Sequence, residues 1–143
     1  MKKIILTVLG ISIAFSVFVS TKDIKKEIVV DSNTNLMWQD NTDVQNIKIK
    51  WIEAIDYCEN LTLAGFDNWR LPNIVELKSI LDLDKLEPAI IDVFVNTSSS
   101  FYWSSTSGKS FTYGAWGVDF YDGIVDWNVK SRIYLVRCVR DNN

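Results

Sequence analysis

The chain has 143 residues, enough for one domain, with a formal charge of −3 and no histidine. An acidic chain of this kind is not a general binder of nucleic acid. Without histidine it lacks a side chain whose ordinary pKa lies near neutrality, so acid–base catalysis would need a shifted carboxylate or lysine.

Met1-Lys2-Lys3 precedes an apolar run from Ile4 to Val19, broken only by Thr7, Gly10, Ser12 and Ser16. The run is shorter than the roughly 20 residues that span a bilayer. Lysines before it and small residues near its end give the layout of a secretory signal peptide over residues 1–20, cleaved after Ser16 or Ser20. The alternative is an uncleaved anchor, the one route by which the chain would touch a membrane. Loss of Lys2 and Lys3 takes the formal charge from −3 to −5. A secreted or periplasmic protein is expected, with residues 21–26 as a polar linker. Exported proteins meet oxidising conditions, so the two cysteines, Cys58 and Cys138, read as a disulfide. Its loop of about 80 residues would contribute roughly 4 kcal/mol by chain entropy. The alternative is a pair of buried thiols. Two cysteines without histidine do not fill a zinc site.

Ile28-Val29-Val30, the turn formers Asp31 to Asn35, and Leu36-Met37-Trp38 predict a hairpin from Glu27 to Gln39. Asp40 to Asn46 reads as a polar loop. Trp51, Ala54, Ile55, Cys58 and Leu61 recur at helical spacing, which predicts an amphipathic helix from Lys50 to Leu63 with Gly65 just past its end. Asn73 and Glu76 form a capping box behind Pro72, opening a second helix from Ile74 to Leu81. The rest is strands: Phe101 to Thr106, Ala115 to Phe120, a turn at Asp122-Gly123, Ile124 to Val129, and Ile133 to Val139. In the last, Ile133, Leu135 and Arg137 should face one side and Tyr134, Val136 and Cys138 the other. The class is α+β, two helices with an antiparallel sheet.

Several ordered motifs carry a family resemblance. They are Asp31 to Trp38, Trp51 to Leu61, Trp69-Arg70-Leu71-Pro72-Asn73 with Glu76-Leu77, Tyr102 to Thr106, Val118-Asp119-Phe120 with Asp122-Gly123, and Val136 to Arg140. Together they resemble the C-terminal domain of the Legionella collagen-like adhesin over residues 27–140. The resemblance implies a C-type lectin-like fold: a looped antiparallel sheet, two flanking helices and paired termini. It implies a disulfide from the first helix to the last strand. It also implies adhesion through glycans, sulfated polysaccharides in the adhesin's case. The chain has no collagen-like repeat, so the adhesin's collagen-driven trimer is not implied.

Within the signature, Trp69, Arg70, Pro72, Glu76 and Trp103 read as structural: a core tryptophan, a clamp, a helix start and a buried strand ring. Glu87-Pro88-Ala89 is similar to the sugar-binding triplet of calcium-dependent lectins but lacks its asparagine, and Val129 follows Asn128 where those lectins place Asp. The six to eight oxygens of a calcium site cannot be assembled. Neither metal nor cofactor is expected. Ser104-Ser105-Thr106 has no histidine to activate it, and both cysteines look structural, unlike those of the related formylglycine-generating enzymes. The expected function is therefore non-enzymatic binding of a glycan or cell-surface polymer. The alternatives are an assembly domain contacting an envelope protein, or such an enzyme. The expected ligand-binding residues are Tyr113, Trp116, Asp119, Tyr121, Asp122, Trp127 and Asn128: rings that stack on sugars beside groups that bond hydroxyls. Lys130, Arg132, Arg137 and Arg140 form the one basic concentration, read as a solvated edge or an anion site.

Overall fold

The computed structural model describes residues 20–23 and 27–143; the apolar run Ile4 to Val19 lies outside them. In chain order the elements are β1 (Ser20–Asp23), β2 (Ile28–Asp31), β3 (Leu36–Gln39), α1 (Asp43–Asn46), β4 (Lys48–Ile49), α2 (Trp51–Glu59) and α3 (Ile74–Ser79). Then come β5 (Phe101–Ser107), β6 (Gly114–Asp119), β7 (Ile124–Val129), β8 (Tyr134–Leu135) and β9 (Val139–Asp141). The fold is a mixed α+β arrangement of two sheets, ordered β1-β2-β3-β9 and β4-β8-β5-β6-β7.

The first sheet grows from the expected hairpin. Asp31 closes its turn by accepting from the Asn33 amide and the Thr34 hydroxyl. Asn35 takes a positive φ of 56°, a conformation asparagine tolerates better than most residues. Two partners flank the hairpin. The backbone of Ser20–Asp23, read from sequence as leader and linker, runs antiparallel along β2. β9 runs along β3, so the two ends of the domain meet in one sheet.

α2 stops at Glu59, earlier than the expected Leu63. Asn60 turns its own side chain back onto the Asp56 carbonyl and ends the helix there; Gly65 lies beyond that stop. α3 starts where its capping box places it, with Asn73 accepting from the Glu76 amide and Glu76 accepting from the Asn73 amide. It is shorter than expected at its far end, stopping at Ser79.

Alternation along β5 and β6 divides the interior in two. Tyr102 and Val118 pack with Val29, Trp38, Leu77, Ile80, Phe120 and Leu135. Trp103 and Ala115 face the other way, to Met37, Ala54, Trp69, Leu71, Val136 and the cystine. The Cys58–Cys138 disulfide is fully buried and joins α2 to the segment entering β9.

The final segment differs most from expectation. Ile133 to Val139 is not one strand: β8 belongs to the second sheet and β9 to the first. Between them the chain crosses from sheet to sheet with Leu135 through Val139 all buried, and the expected alternation persists with both sides covered: Leu135 and Arg137 face the Phe94 cluster, and Tyr134, Val136 and Cys138 face the cystine cluster. Tyr102 pairs with Leu135 in parallel, so the second sheet is not wholly antiparallel. Arg137 lies in the middle of this crossing. Its guanidinium donates to the Gln39 and Asn96 carbonyls, the Thr97 hydroxyl and the Asp40 carboxylate, and it stands 4.6 Å from the Phe94 ring. Burial pulls its pKa below the ordinary value, and the Asp40 charge opposes that pull. The segment Asp40 to Asn46 is likewise not a solvated loop. Gln39, Asp40 and Asn41 are buried, and α1 follows them. Asp40 also accepts the Val95 and Asn96 amides, which holds the 91–97 loop from beneath.

Arg70 makes a two-pronged contact with Glu76 and a further one with Asp141, tying the start of α3 to β9. Its neighbour Trp69 is buried and donates to the Phe66 carbonyl. Arg70→Ala should therefore cost about 1–3 kcal/mol and lower the melting temperature by several degrees. Differential scanning calorimetry checks this, and an unchanged melting temperature would remove Arg70 from the scaffold.

Candidate aromatic binding platform

The β6–β7 ladder sets Trp116 directly opposite Trp127. Further along the same face Val118 and Val125 join the core. Toward the opposite end of the ladder the face emerges from the protein, and the tryptophans emerge with it. Residues 108–113 fold back beside them. Gly108 donates to the Gly114 carbonyl and Gly114 to that of Phe111. A Cβ on Gly114 would meet the Trp127 ring at 2.9 Å and the Phe111 ring at 3.0 Å, and a Cβ on Gly108 would run into Phe111. Glycine at both places is what lets the rings lie down on backbone.

The outcome is a platform of four rings. Phe111 and Trp127 stand 4.7 Å apart, Tyr113 and Trp127 5.9 Å, Phe111 and Tyr113 6.3 Å, and Phe111 and Trp116 6.3 Å. Such separations fall within the range of favourable ring pairs. Tyr113 is 61% exposed and Trp127 37%; Phe111 and Trp116 are half-buried behind them.

Lys130 fastens the side of the platform formed by residues 108–113. Its ammonium donates to Ser107 Oγ and to the Thr112 carbonyl, the latter at 2.8 Å, and sits 3.9 Å from the Trp51 ring centre. Trp51 is itself fixed, with its indole N–H on the Ser104 carbonyl and its amide on the Lys130 carbonyl. Lys130→Met should loosen residues 108–113 and leave the strands intact. Amide hydrogen exchange should rise there by about tenfold, the effect of about 1.4 kcal/mol. Unchanged protection would show that the loop holds itself.

The seven residues expected to form one site are divided three ways. Tyr113, Trp116 and Trp127 come together. Asp119, Tyr121 and Asp122 lie at the hairpin turn, roughly 10 Å along the strands at 3.3 Å per residue. There Asp119 and Asp122 accept the Tyr121 and Ile124 amides. Tyr121 bonds Glu87, which raises its phenol pKa. Asn128 is on the opposite sheet face, where its amide oxygen accepts from the Tyr134 hydroxyl. Phe111 was missed, as were Trp51 and Lys130 as supports; the glycines bracketing Phe111 were the available signal.

The basic concentration does not form an edge. Arg137 is buried, Lys130 lies over Trp51, Arg140 stacks 4.5 Å from Phe66, and Arg132 is exposed. Ser104 is buried and donates to the Trp116 carbonyl, and Thr106 receives the Ile74 amide. Among the described residues no group of three or more His, Cys, Asp or Glu could hold a metal ion. A family model, the Lcl C-terminal domain, matches residues 27–140. No curated protein matches the chain.

Proposed function

The chain belongs to the Lcl C-terminal domain family, and on that premise we propose that it is an exported, non-enzymatic binding module that stacks a glycan on the Phe111–Tyr113–Trp116–Trp127 platform. The observation that carries this reading is the exposure of Trp127 on the β6–β7 ladder and of Tyr113 on the segment that folds back beside it. Apolar rings of this size are normally covered, and an uncovered cluster marks a contact surface. A sugar ring offers a flat C–H face of similar size to such rings, and the charge of Lys130 is already committed to the scaffold.

Export is supported by the buried disulfide, since such bonds form and persist in oxidising compartments. Among the described residues no helix is long and apolar enough to cross a membrane. We read the fold as C-type lectin-like, because β2, β3 and β9 pair the domain's ends and α2 and α3 flank the second sheet. Function tends to sit on loops held by such a scaffold.

A glycan array probed with the parent and with Trp127→Ala tests the proposal. Parent-specific spots that fade in the variant support it. A parent that binds nothing on arrays of neutral, acidic and sulfated glycans overturns it.

A further inference from the structure

The end of the molecule that carries the 82–97 loop and the β6–β7 turn has a different chemistry from the platform. Three large apolar side chains are held out on the loop: Leu83 at 72% exposure, Leu86 at 67% and Val95 at 62%. Tyr121 and Ile124 of the hairpin turn are exposed beside it. Leu83 lies over that turn, where a Cβ on Gly123 would meet it at 2.7 Å. A groove of about 410 Å³ runs through the loop, lined by Lys85, Leu86, Pro88, Ile90, Ile91, Asp92 and Phe94.

The loop is not a loose segment that exposes these groups by fraying. The Glu87 and Ala89 amides donate to the Tyr121 and Phe120 carbonyls, and the Ile91 amide to that of Ile80. Asp40 and Arg137 hold residues 95–97 from below. A backbone this well tied presents its leucines in fixed positions, which lowers the ordering cost of docking on them.

The charge around the groove is one-sided. Residues 82–97 and 119–124 hold six carboxylates, Asp82, Asp84, Glu87, Asp92, Asp119 and Asp122, against one cation, Lys85. Lys85 pairs with Asp82 and Asp92. Turn bonds from the Asp84, Tyr121 and Ile124 amides engage single oxygens of Asp82, Asp119 and Asp122 and leave their charges in place. The chain as a whole carries only −3, so the negative field is concentrated at this end.

We infer that this acidic, apolar end is a protein-docking surface for a cationic amphipathic segment of a partner protein. Leucines of the partner would fill the groove beside Leu86, Pro88 and Phe94, and its lysines or arginines would meet the rim carboxylates. Charge complementarity selects this occupant: an anionic polymer or an anionic lipid surface would be repelled. The surface is separate from the platform, and neither reading depends on the other.

The test uses the full chain with its disulfide formed, labelled for amide NMR. The probes are an amphipathic leucine–lysine peptide and its leucine–glutamate counterpart. The lysine peptide should shift amides of residues 82–97 and 119–124 saturably, and the glutamate peptide should not. Leu86→Asp and Asp84→Lys alter exposed side chains, so both variants should fold. Each should weaken the lysine peptide by about tenfold or more, the size of one lost contact of about 1.4 kcal/mol. Equal response to both peptides, no response at these residues, or parent-like binding by both variants would overturn the inference. So would sedimentation with phosphatidylcholine vesicles that Leu86→Asp abolishes, since that would make the patch a lipid contact.

Discussion

Replacing Arg137 by methionine should destabilise the domain by about 3–5 kcal/mol, the scale for removing one partner of a buried ion pair. Methionine can follow the arginine stem through the core, so packing is largely kept and the loss is electrostatic. Asp40 would remain fully buried without its cation. The Gln39 and Asn96 carbonyls would also lose a donor. Asp40→Asn with Arg137→Met should recover part of the loss, because the uncompensated charge is gone. Urea denaturation of the two single variants and the double variant measures this as a cycle. A loss below about 1 kcal/mol in Arg137→Met would mean that water reaches the pair, against the burial seen here. A loosened 91–97 loop in the same variant would show that this pair is what holds it.

The second large effect is expected at the disulfide. The Cys58–Cys138 bond closes a separation of 80 residues, so Cys58→Ala should cost about 2–5 kcal/mol through the freedom it returns to the unfolded chain. Both sulfurs are buried. Reductant should therefore leave the folded protein unchanged until denaturant opens it, and then shift the unfolding midpoint downward. Intact-mass analysis of the protein purified without reductant should find it lighter by the two thiol hydrogens. Two free thiols in that sample would contradict the pairing.

Local signals in the sequence marked the elements that depend on local physics. The hairpin around Asn33, the capping box of Asn73 and Glu76, and the Asp122-Gly123 turn are each decided within a few residues, and each forms where the pattern places it. What the pattern could not reveal depends on distant partners. Asp40 and Arg137 are separated by almost a hundred residues, and each alone looks like a solvated charge. Their pairing buries Asp40 at the start of the segment read as a polar loop, and Arg137 lies in the crossing between β8 and β9. The candidate site followed the same division. Cross-strand pairing of Trp116 and Trp127 follows from the hairpin turn, so their nearness is legible in the sequence. Phe111 reaches the platform through a loop whose course is set by Lys130 and Gly114, so its place was hidden. Asn128 and Tyr121 were drawn in by nearness in sequence, yet strand alternation and distance along the ladder put them elsewhere.

The central claim is that the four-ring platform is the glycan-binding surface. Calorimetric titration of a glycan selected on the array tests it most directly, run against the parent, Tyr113→Ala, Trp127→Ala and Tyr121→Ala. Tyr113→Ala and Trp127→Ala should each weaken binding by about 1–2 kcal/mol with melting temperatures close to the parent's, as for a modest hot spot. Tyr121→Ala, at the far end of the ladder, should bind as the parent does. Parent-like affinity in both platform variants would contradict the account.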